Sequence, residues 1–321
     1  MRAAVVGAGS WGTALALLLA RNGHDVLLLG RDLEEIEHMR TARENHRYLP
    51  GFQLPPNISP EDITLTELSA EITILAVPSG ALNDVTAHLH GACGTLVVAA
   101  KGLEPESGRL LCDVVEEIVP GASVGVLSGP NLAVEIARGI PTVAVSAFKE
   151  EAPAEVVREA FSCRSFRVST SSDVKGVELA GALKNVLAIG AGMSDGLGFG
   201  DNTKGAFLSR GLMEMAKLGL AMGAQMETFL GPAGVGDLFA TAASGLSRNY
   251  RVGKGLGEGR SLEEVIAGIG QVAEGVPTSH AAMKLARENG VDMPVFAAVD
   301  AVVQGHLRPG EAVAMLMDRG R

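Results

Sequence analysis

Cysteine is scarce in this chain. Its 321 residues include three, Cys93, Cys112 and Cys163. Their spacing suits neither a disulfide framework nor a zinc site, so the expectation is a cytoplasmic protein that uses no metal. Aromatic residues make up only 4% of the sequence, which leaves Ala, Gly, Leu, Val and Met to pack the helices. No run of about 18 uninterrupted apolar residues occurs, which argues against a membrane span. Positive charge is the minority sign, with 27 Lys and Arg against 37 Asp and Glu and a net charge of −10. That balance argues against a nucleic-acid partner, and any anionic ligand must then meet a local group of basic side chains.

What the chain has in quantity is glycine, 41 residues, and apolar residues, 47%. The most informative glycines come first. Ala3-Ala4-Val5-Val6 is a short apolar run, followed by Gly7-Ala8-Gly9-Ser10-Trp11-Gly12 and then by a stretch of helix formers, Thr13 to Ala20. Strand, glycine turn and helix in that order form the context in which GxGxxG binds a dinucleotide. Gly7 permits the tight turn, Gly9 lets a pyrophosphate approach the bare backbone, and Gly12 lets the helix pack against the strand. The N–H groups at the helix start and the helix dipole favour an anion there. The apolar segment Ala14–Ala20 follows glycines and not a basic leader, so it does not read as a secretory signal.

Further apolar runs alternate with helical segments. Asp25–Gly30, Ile72–Val77, Thr95–Ala100, Ser123–Leu127, Pro141–Phe148 and Phe166–Thr170 read as strands. Leu33–Arg43, Ala81–His90, a segment ending near Arg138 and Ala154–Ser162 read as helices, and the prolines at 55, 56 and 60 mark a loop. Nearly continuous apolar strands separated by helices predict a mainly parallel sheet covered on both faces, an α/β doubly wound arrangement of the Rossmann type. Ligands of such sheets bind outside the carboxyl ends of the strands, where Gly7–Gly12, Arg31, Pro78-Ser79, Lys101 and Ser128-Gly129 all fall. At the end of the second strand an acid would favour NAD. Here Arg31 comes first and Asp32 after it, so Arg31 either pairs with the 2′-phosphate of NADPH or is an ordinary surface arginine. Lys101 is either a ligand contact or a solvated loop lysine.

From about Val174 strand signals fade, and an all-helical domain over 175–321 is expected after a dinucleotide-binding domain over 1–174. In Val177–Gly192, positions 177, 181, 184, 188 and 191 share one helical face and are Val, Gly, Lys, Ala and Ala. Lys184 thus stands on a face of small residues. Burial would lower its pKa towards neutrality and suit it to proton exchange, unless it snorkels to water from a helix packed by its other side. Arg210–Met226 is a methionine-bearing helical stretch suited to core or subunit packing. Gly231–Asp237 sets an acid on a loop, and Ser247-Arg248-Asn249 is either an anion-binding helix start or a plain cap.

These runs together resemble the bacterial-type NAD(P)-dependent glycerol-3-phosphate dehydrogenases over nearly the whole length. The matching segments are GAGSWGTALA, NHRYLPG, AVPS, KGLE, SGPNLAVE, GVELAGALKNVLAIGAGMSDGLGFGDNTK, SRGLMEM, ETFLGPAGVGDL, SRNYRVG and QVAEG. The resemblance implies a Rossmann-type domain, an all-helical domain and reversible reduction of dihydroxyacetone phosphate to sn-glycerol 3-phosphate, a phospholipid precursor. It implies that Gly7, Gly9, Ser10, Trp11, Gly12, Arg31 and Ala133 contact the cofactor, with Val272 and Glu274 on its ribose side. Lys101 and Arg248 would touch both cofactor and substrate, while Gly129, Asn131, Asp237, Ser247 and Asn249 would line the substrate pocket. Lys184 would be the proton donor and acceptor. The family usually has Ser or Thr where this chain has Asn131, although Asn can still donate to a substrate oxygen. NADPH or NADH as cofactor and a homodimer are also implied. The alternatives are a related dehydrogenase of a 3-hydroxy acid or ketopantoate, and a non-catalytic NAD(P) sensor.

Overall fold

The computed structural model describes residues 1–64, 69–89 and 94–318. Cys93, and His90 at the end of the helix expected over 81–90, lie outside the described residues. The chain divides into two compact units. One comprises Met1–Ala100 and Leu111–Val174; the other comprises Lys101–Leu110 and the chain from Lys175 onward.

The first unit contains β1 (Arg2–Val6), α1 (Ser10–Arg21), β2 (Asp25–Gly30), α2 (Leu33–Ala42), β3 (Glu44–Asn45), β4 (Leu49–Gln53), β5 (Ile58–Asp62) and β6 (Ile72–Leu75). It continues with α3 (Leu82–Ala87), β7 (Thr95–Val98), α4 (Leu111–Ile118), β8 (Ser123–Ser128), α5 (Ala133–Ala137), β9 (Thr142–Phe148), α6 (Glu151–Phe161) and β10 (Phe166–Ser171). Eight strands form one sheet in the order β10-β9-β8-β7-β6-β1-β2-β5, and β3 and β4 form a separate hairpin. All pairs in the large sheet are parallel except β8 with β9. The chain leaves β1 towards β2 on one side and returns to β6 on the other. The turn after β1 therefore sits at the switch point where doubly wound sheets open a crevice.

The sheet is covered as its apolar strands require. In β1 and β6 every residue but Arg2 is buried. The α1 side chains Leu15, Leu17, Leu18 and Leu19 join Val5, Ile74, Val97, Phe148, Phe161 and Phe166 in one core. Each leucine buried there contributes about 1.5–3 kcal/mol. One expectation fails: the proline-bearing segment is not all loop, because β5 pairs in parallel with β2 and Pro60 stands opposite Leu28. β5 is the last strand of the sheet order, and an edge strand tolerates a residue without an N–H on its unpaired side.

Among its described residues the second unit consists of helices and the loops that join them, with no strand. It contains α7 (Val174–Gly196), α8 (Asp201–Ala221), α9 (Met226–Leu230), α10 (Asp237–Ala242), α11 (Arg248–Gly257), α12 (Leu262–Ile269), α13 (Gly275–Glu288), α14 (Pro294–Val303) and α15 (Pro309–Asp318). The middle of α7, from Val177 to Ser194, is buried on every face, so its pattern marks a central core helix. It packs against α11 through glycines. A Cβ on Gly253 would lie 1.8 Å from the Ile189 carbonyl oxygen, and one on Gly192 would lie 2.1 Å from that of Tyr250. The loop Lys101–Leu110 belongs to this unit: Leu103 and Leu110 enter its core, and Lys284 Nζ donates to the Glu106 carbonyl at 3.1 Å.

Among the described residues no helix is long and apolar enough to cross a membrane.

Candidate active site

In the first unit the glycine turn has three differently constrained glycines. Gly7 has φ +111°, a conformation that side chains rarely adopt, and a Cβ there would meet the Ala76 carbonyl oxygen at 2.7 Å. A Cβ on Gly12 would lie 1.9 Å from the Gly7 carbonyl oxygen, so only glycine lets α1 start this close to β1. At Gly9 a Cβ would meet nothing within 4 Å. Space within the fold therefore explains glycine at 7 and 12 and leaves Gly9 unexplained, as expected where a ligand approaches the backbone. Gly9 is also the N-cap of α1 and makes no side-chain cap hydrogen bond, and the positive end of the helix dipole there favours an anion. The cradle fits a dinucleotide diphosphate.

Ser10 and Trp11 open α1, and the Trp11 indole N–H donates to the Ala99 carbonyl at 3.0 Å, tying the helix start to the end of β7. Arg31 is exposed just beyond β2. The neighbouring acid is already engaged: Asp32 caps α2, accepting from the N–H groups of Glu34 at 3.1 Å and Glu35 at 3.3 Å. Gly129 follows β8 with φ +152°, and a Cβ there would lie 2.7 Å from the Val143 carbonyl oxygen. Asn131 Nδ2 donates to that same carbonyl at 3.0 Å, whereas its buried Oδ1 has no partner among the described residues. Ala133 is the first residue of α5.

In the second unit three predicted residues converge. Lys184, from the middle of α7, places Nζ 2.8 Å from Asp237 Oδ1. Lys101 Nζ takes the other oxygen, Oδ2, at 2.7 Å. Lys184 does not snorkel: it is 5% exposed, and Asp237 is 1% exposed. Asp237 is not on a loop as expected. A π-helical turn, Pro232–Gly236, delivers it to the first position of α10, where the dipole favours a carboxylate. Thr241, one turn later, accepts from Lys184 Nζ at 2.5 Å and donates to Asp237 Oδ1 at 3.2 Å.

The electrostatics follow from one buried acid shared by two amines. Burial opposes ionisation of Asp237, but Lys101 and Lys184 outweigh it and hold the carboxyl below its ordinary value. Burial also dominates at Lys184. Asp237 pulls its pKa up, Lys101 and Arg248 push it down, and the result is about 8. Arg248 is held below the usual guanidinium range by burial, with Glu274 acting in the opposite direction.

Arg248 is the first residue of α11 and Ser247 its N-cap, whose hydroxyl accepts from the Tyr250 N–H at 3.2 Å. The next residue, Asn249, is committed to the fold. Its Oδ1 accepts from the Gly275 N–H at 2.9 Å, and its Nδ2 donates to Asn185 Oδ1 at 2.8 Å. Asn185 in turn donates to the Lys101 carbonyl at 2.9 Å. This chain fixes the backbone of Lys101 relative to α7, α11 and α13. Val272 is exposed and Glu274 stands immediately before α13. Asn185 and Thr241 carry no role in the sequence reading. The i, i+4 spacing of Thr241 from Asp237 was the one available signal for it, and Asn185 had only its place beside Lys184.

The comparisons with known proteins decide the family. Residues 2–154 match the model of the NAD-dependent glycerol-3-phosphate dehydrogenase N-terminus, and residues 173–314 match that of its C-terminus. The chain belongs to the NAD-dependent glycerol-3-phosphate dehydrogenase family. Among curated relatives, the glycerol-3-phosphate dehydrogenase [NAD(P)+] of Azotobacter vinelandii is 48% identical, over 94% of this chain and 89% of the relative. The enzyme of the same name from Methylibium petroleiphilum is 44% identical, over 99% of this chain and 97% of its own length. The crystal structure of glycerol-3-phosphate dehydrogenase from Coxiella burnetii superposes with a TM-score of 0.95 at 36% identity, covering 98% of each chain. The chain is accordingly an NAD(P)-dependent oxidoreductase of glycerol 3-phosphate, and the hydroxy-acid and sensor alternatives fall away.

Proposed function

We propose that Lys184 is the general acid and base of this dehydrogenase in the interconversion of dihydroxyacetone phosphate and sn-glycerol 3-phosphate. The observation that carries the reading is a buried lysine on a shared carboxylate with a pKa of about 8. A lysine at its ordinary value would hold its proton too tightly to take part near neutrality. Two of the Nζ donor positions are used on Asp237 and Thr241, and the third is left for a substrate oxygen.

In the reducing direction, protonated Lys184 donates its proton to the carbonyl oxygen as that oxygen gains charge. In oxidation, the neutral amine removes the hydroxyl proton. Lys101 stabilises the developing alkoxide, and Asp237 holds both amines in place. The nicotinamide group, when bound, supplies or accepts the hydride. Gly7, Gly9 and Gly12 with the start of α1 hold the cofactor diphosphate, and Arg31 faces the 2′-phosphate. Asp32 is spent on the cap of α2, which supports a preference for NADPH. Arg248 and the N–H groups at the start of α11 bind the substrate phosphate.

Replacing Lys184 by Ala tests the assignment. Turnover should fall by about two to four orders of magnitude, the usual worth of a general acid or base, while the Kd for NADPH in fluorescence titration stays unchanged. Equal loss of turnover and cofactor binding would make Lys184 a structural lysine. The scarcity of cysteine supports a cytoplasmic setting, where the product would serve as the backbone of phospholipids. The family resemblance supports a homodimer, and sedimentation velocity returning a monomer at micromolar concentration would contradict that part.

A further inference from the structure

The β3–β4 hairpin takes no part in this chemistry, yet its buried amide reaches the glycine turn. Asn45 is 4% exposed. Its Nδ2 donates to the Ala8 carbonyl at 2.9 Å and to Thr13 Oγ1 at 2.8 Å, and its Oδ1 accepts from the Tyr48 N–H at 3.1 Å. A carbonyl can only accept and a backbone N–H can only donate, so the amide has one possible orientation. Both of its N–H bonds are used.

The consequence lies one atom further on. The Ala8–Gly9 peptide is trans, as are all peptide bonds among the described residues. In a planar trans peptide the C=O and N–H point to opposite sides. Holding the Ala8 carbonyl from the hairpin side therefore turns the Gly9 N–H away from the hairpin. Gly9 is the glycine whose surroundings are open, at the N-cap of α1. The hairpin is itself anchored apart from this contact. Arg43, in the left-handed conformation with φ 52°, donates to the carbonyls of Leu54, Pro55 and Ile58.

We infer that Asn45 is a positioning residue of the cofactor site, one that fixes the Ala8–Gly9 peptide plane so that the Gly9 N–H and the start of α1 are aimed at a dinucleotide diphosphate. The inference rests on the reading of the glycine turn as the cofactor site.

The near-isosteric variant Asn45→Asp sets a carboxylate oxygen against the Ala8 carbonyl. The Kd values of NADPH and NADH should rise together, by about ten-fold or more, because both ligands share the diphosphate. The KM for dihydroxyacetone phosphate at saturating cofactor should not move. Asn45→Ser, with a shorter donor, reads the same quantity if the aspartate variant fails to fold. Arg43→Ala supplies the control. It removes the carbonyl contacts that tie the open end of the same hairpin to the Leu54–Ile58 segment and touches neither Ala8 nor Thr13, so it should lower the Tm and leave both dinucleotide Kd values in place. Wild-type NADPH affinity in the folded Asn45 variants would overturn the inference, as would an equal loss in Arg43→Ala. Wild-type protein that binds neither dinucleotide would instead refute the cofactor reading itself.

Discussion

In its proposed role as general acid and base, a lysine with a pKa of about 8 gives the reaction a signed pH dependence. Reduction needs the ammonium form and oxidation the free amine. The kcat/KM for dihydroxyacetone phosphate should therefore fall about ten-fold per pH unit above that value, and the kcat/KM for glycerol 3-phosphate should fall likewise below it. Initial rates from pH 6 to 10 in both directions measure it, and two profiles bending the same way would contradict the role. The same shift bears on stability. The folded state holds Lys184 below its ordinary value of 10.5, so its protonated form is disfavoured by folding. That cost is present in full below about pH 8 and fades as pH rises towards 10.5. Asp237 and Lys101 were legible in the sequence as candidates, but their shared geometry was not. They lie 136 positions apart, and no local pattern reports that separation closing to 2.7 Å.

At the scale of elements, glycine decides how close two segments come, and the decisions can be separated by experiment. Gly253→Ala places a methyl group against the Ile189 carbonyl, so α11 must move away from α7. The expected result is a loss of about 1–3 kcal/mol of stability in denaturant unfolding, together with a raised KM for the phosphorylated substrate because Arg248 heads the same helix. Unchanged stability would mean the crossing is looser than its 1.8 Å approach requires. The glycine turn should divide differently. Gly12→Ala clashes with the Gly7 carbonyl and should lower the Tm, whereas Gly9→Ala clashes with nothing and should weaken NADPH binding at an unchanged Tm. A drop in Tm for Gly9→Ala, with cofactor affinity intact, would make that glycine structural. The strand–turn–helix signature was readable because all its parts are consecutive. The edge strand β5 was not, because prolines at 55, 56 and 60 outweighed its short pairing segment, and an edge position was visible only once the strand order was known.

For the whole molecule, the net charge of −10 and an anionic substrate stand in apparent opposition. The proposed substrate site in the second unit resolves it locally. Lys101, Lys184 and Arg248 gather near a single buried carboxylate, Asp237, and α11 adds the positive end of its dipole. The fold class was legible in the alternation of apolar strands and helices. The allocation of residues 101–110 was not, because a loop that leaves the sheet to join the helical core has no compositional mark beyond Leu103 and Leu110. In the proposed mechanism the phosphate is part of what positions the reacting carbon, so binding energy remote from the chemistry is realised in turnover. The most direct test is NADPH oxidation at neutral pH with dihydroxyacetone phosphate and, in parallel, unphosphorylated dihydroxyacetone. Rapid turnover of the phosphate ester, with the free ketone reduced by orders of magnitude more slowly even at saturation, is the predicted result. Comparable turnover of both, or of neither in a folded protein that binds NADPH, would contradict the assignment of the Lys184–Asp237–Lys101 cluster and of the α11 helix start.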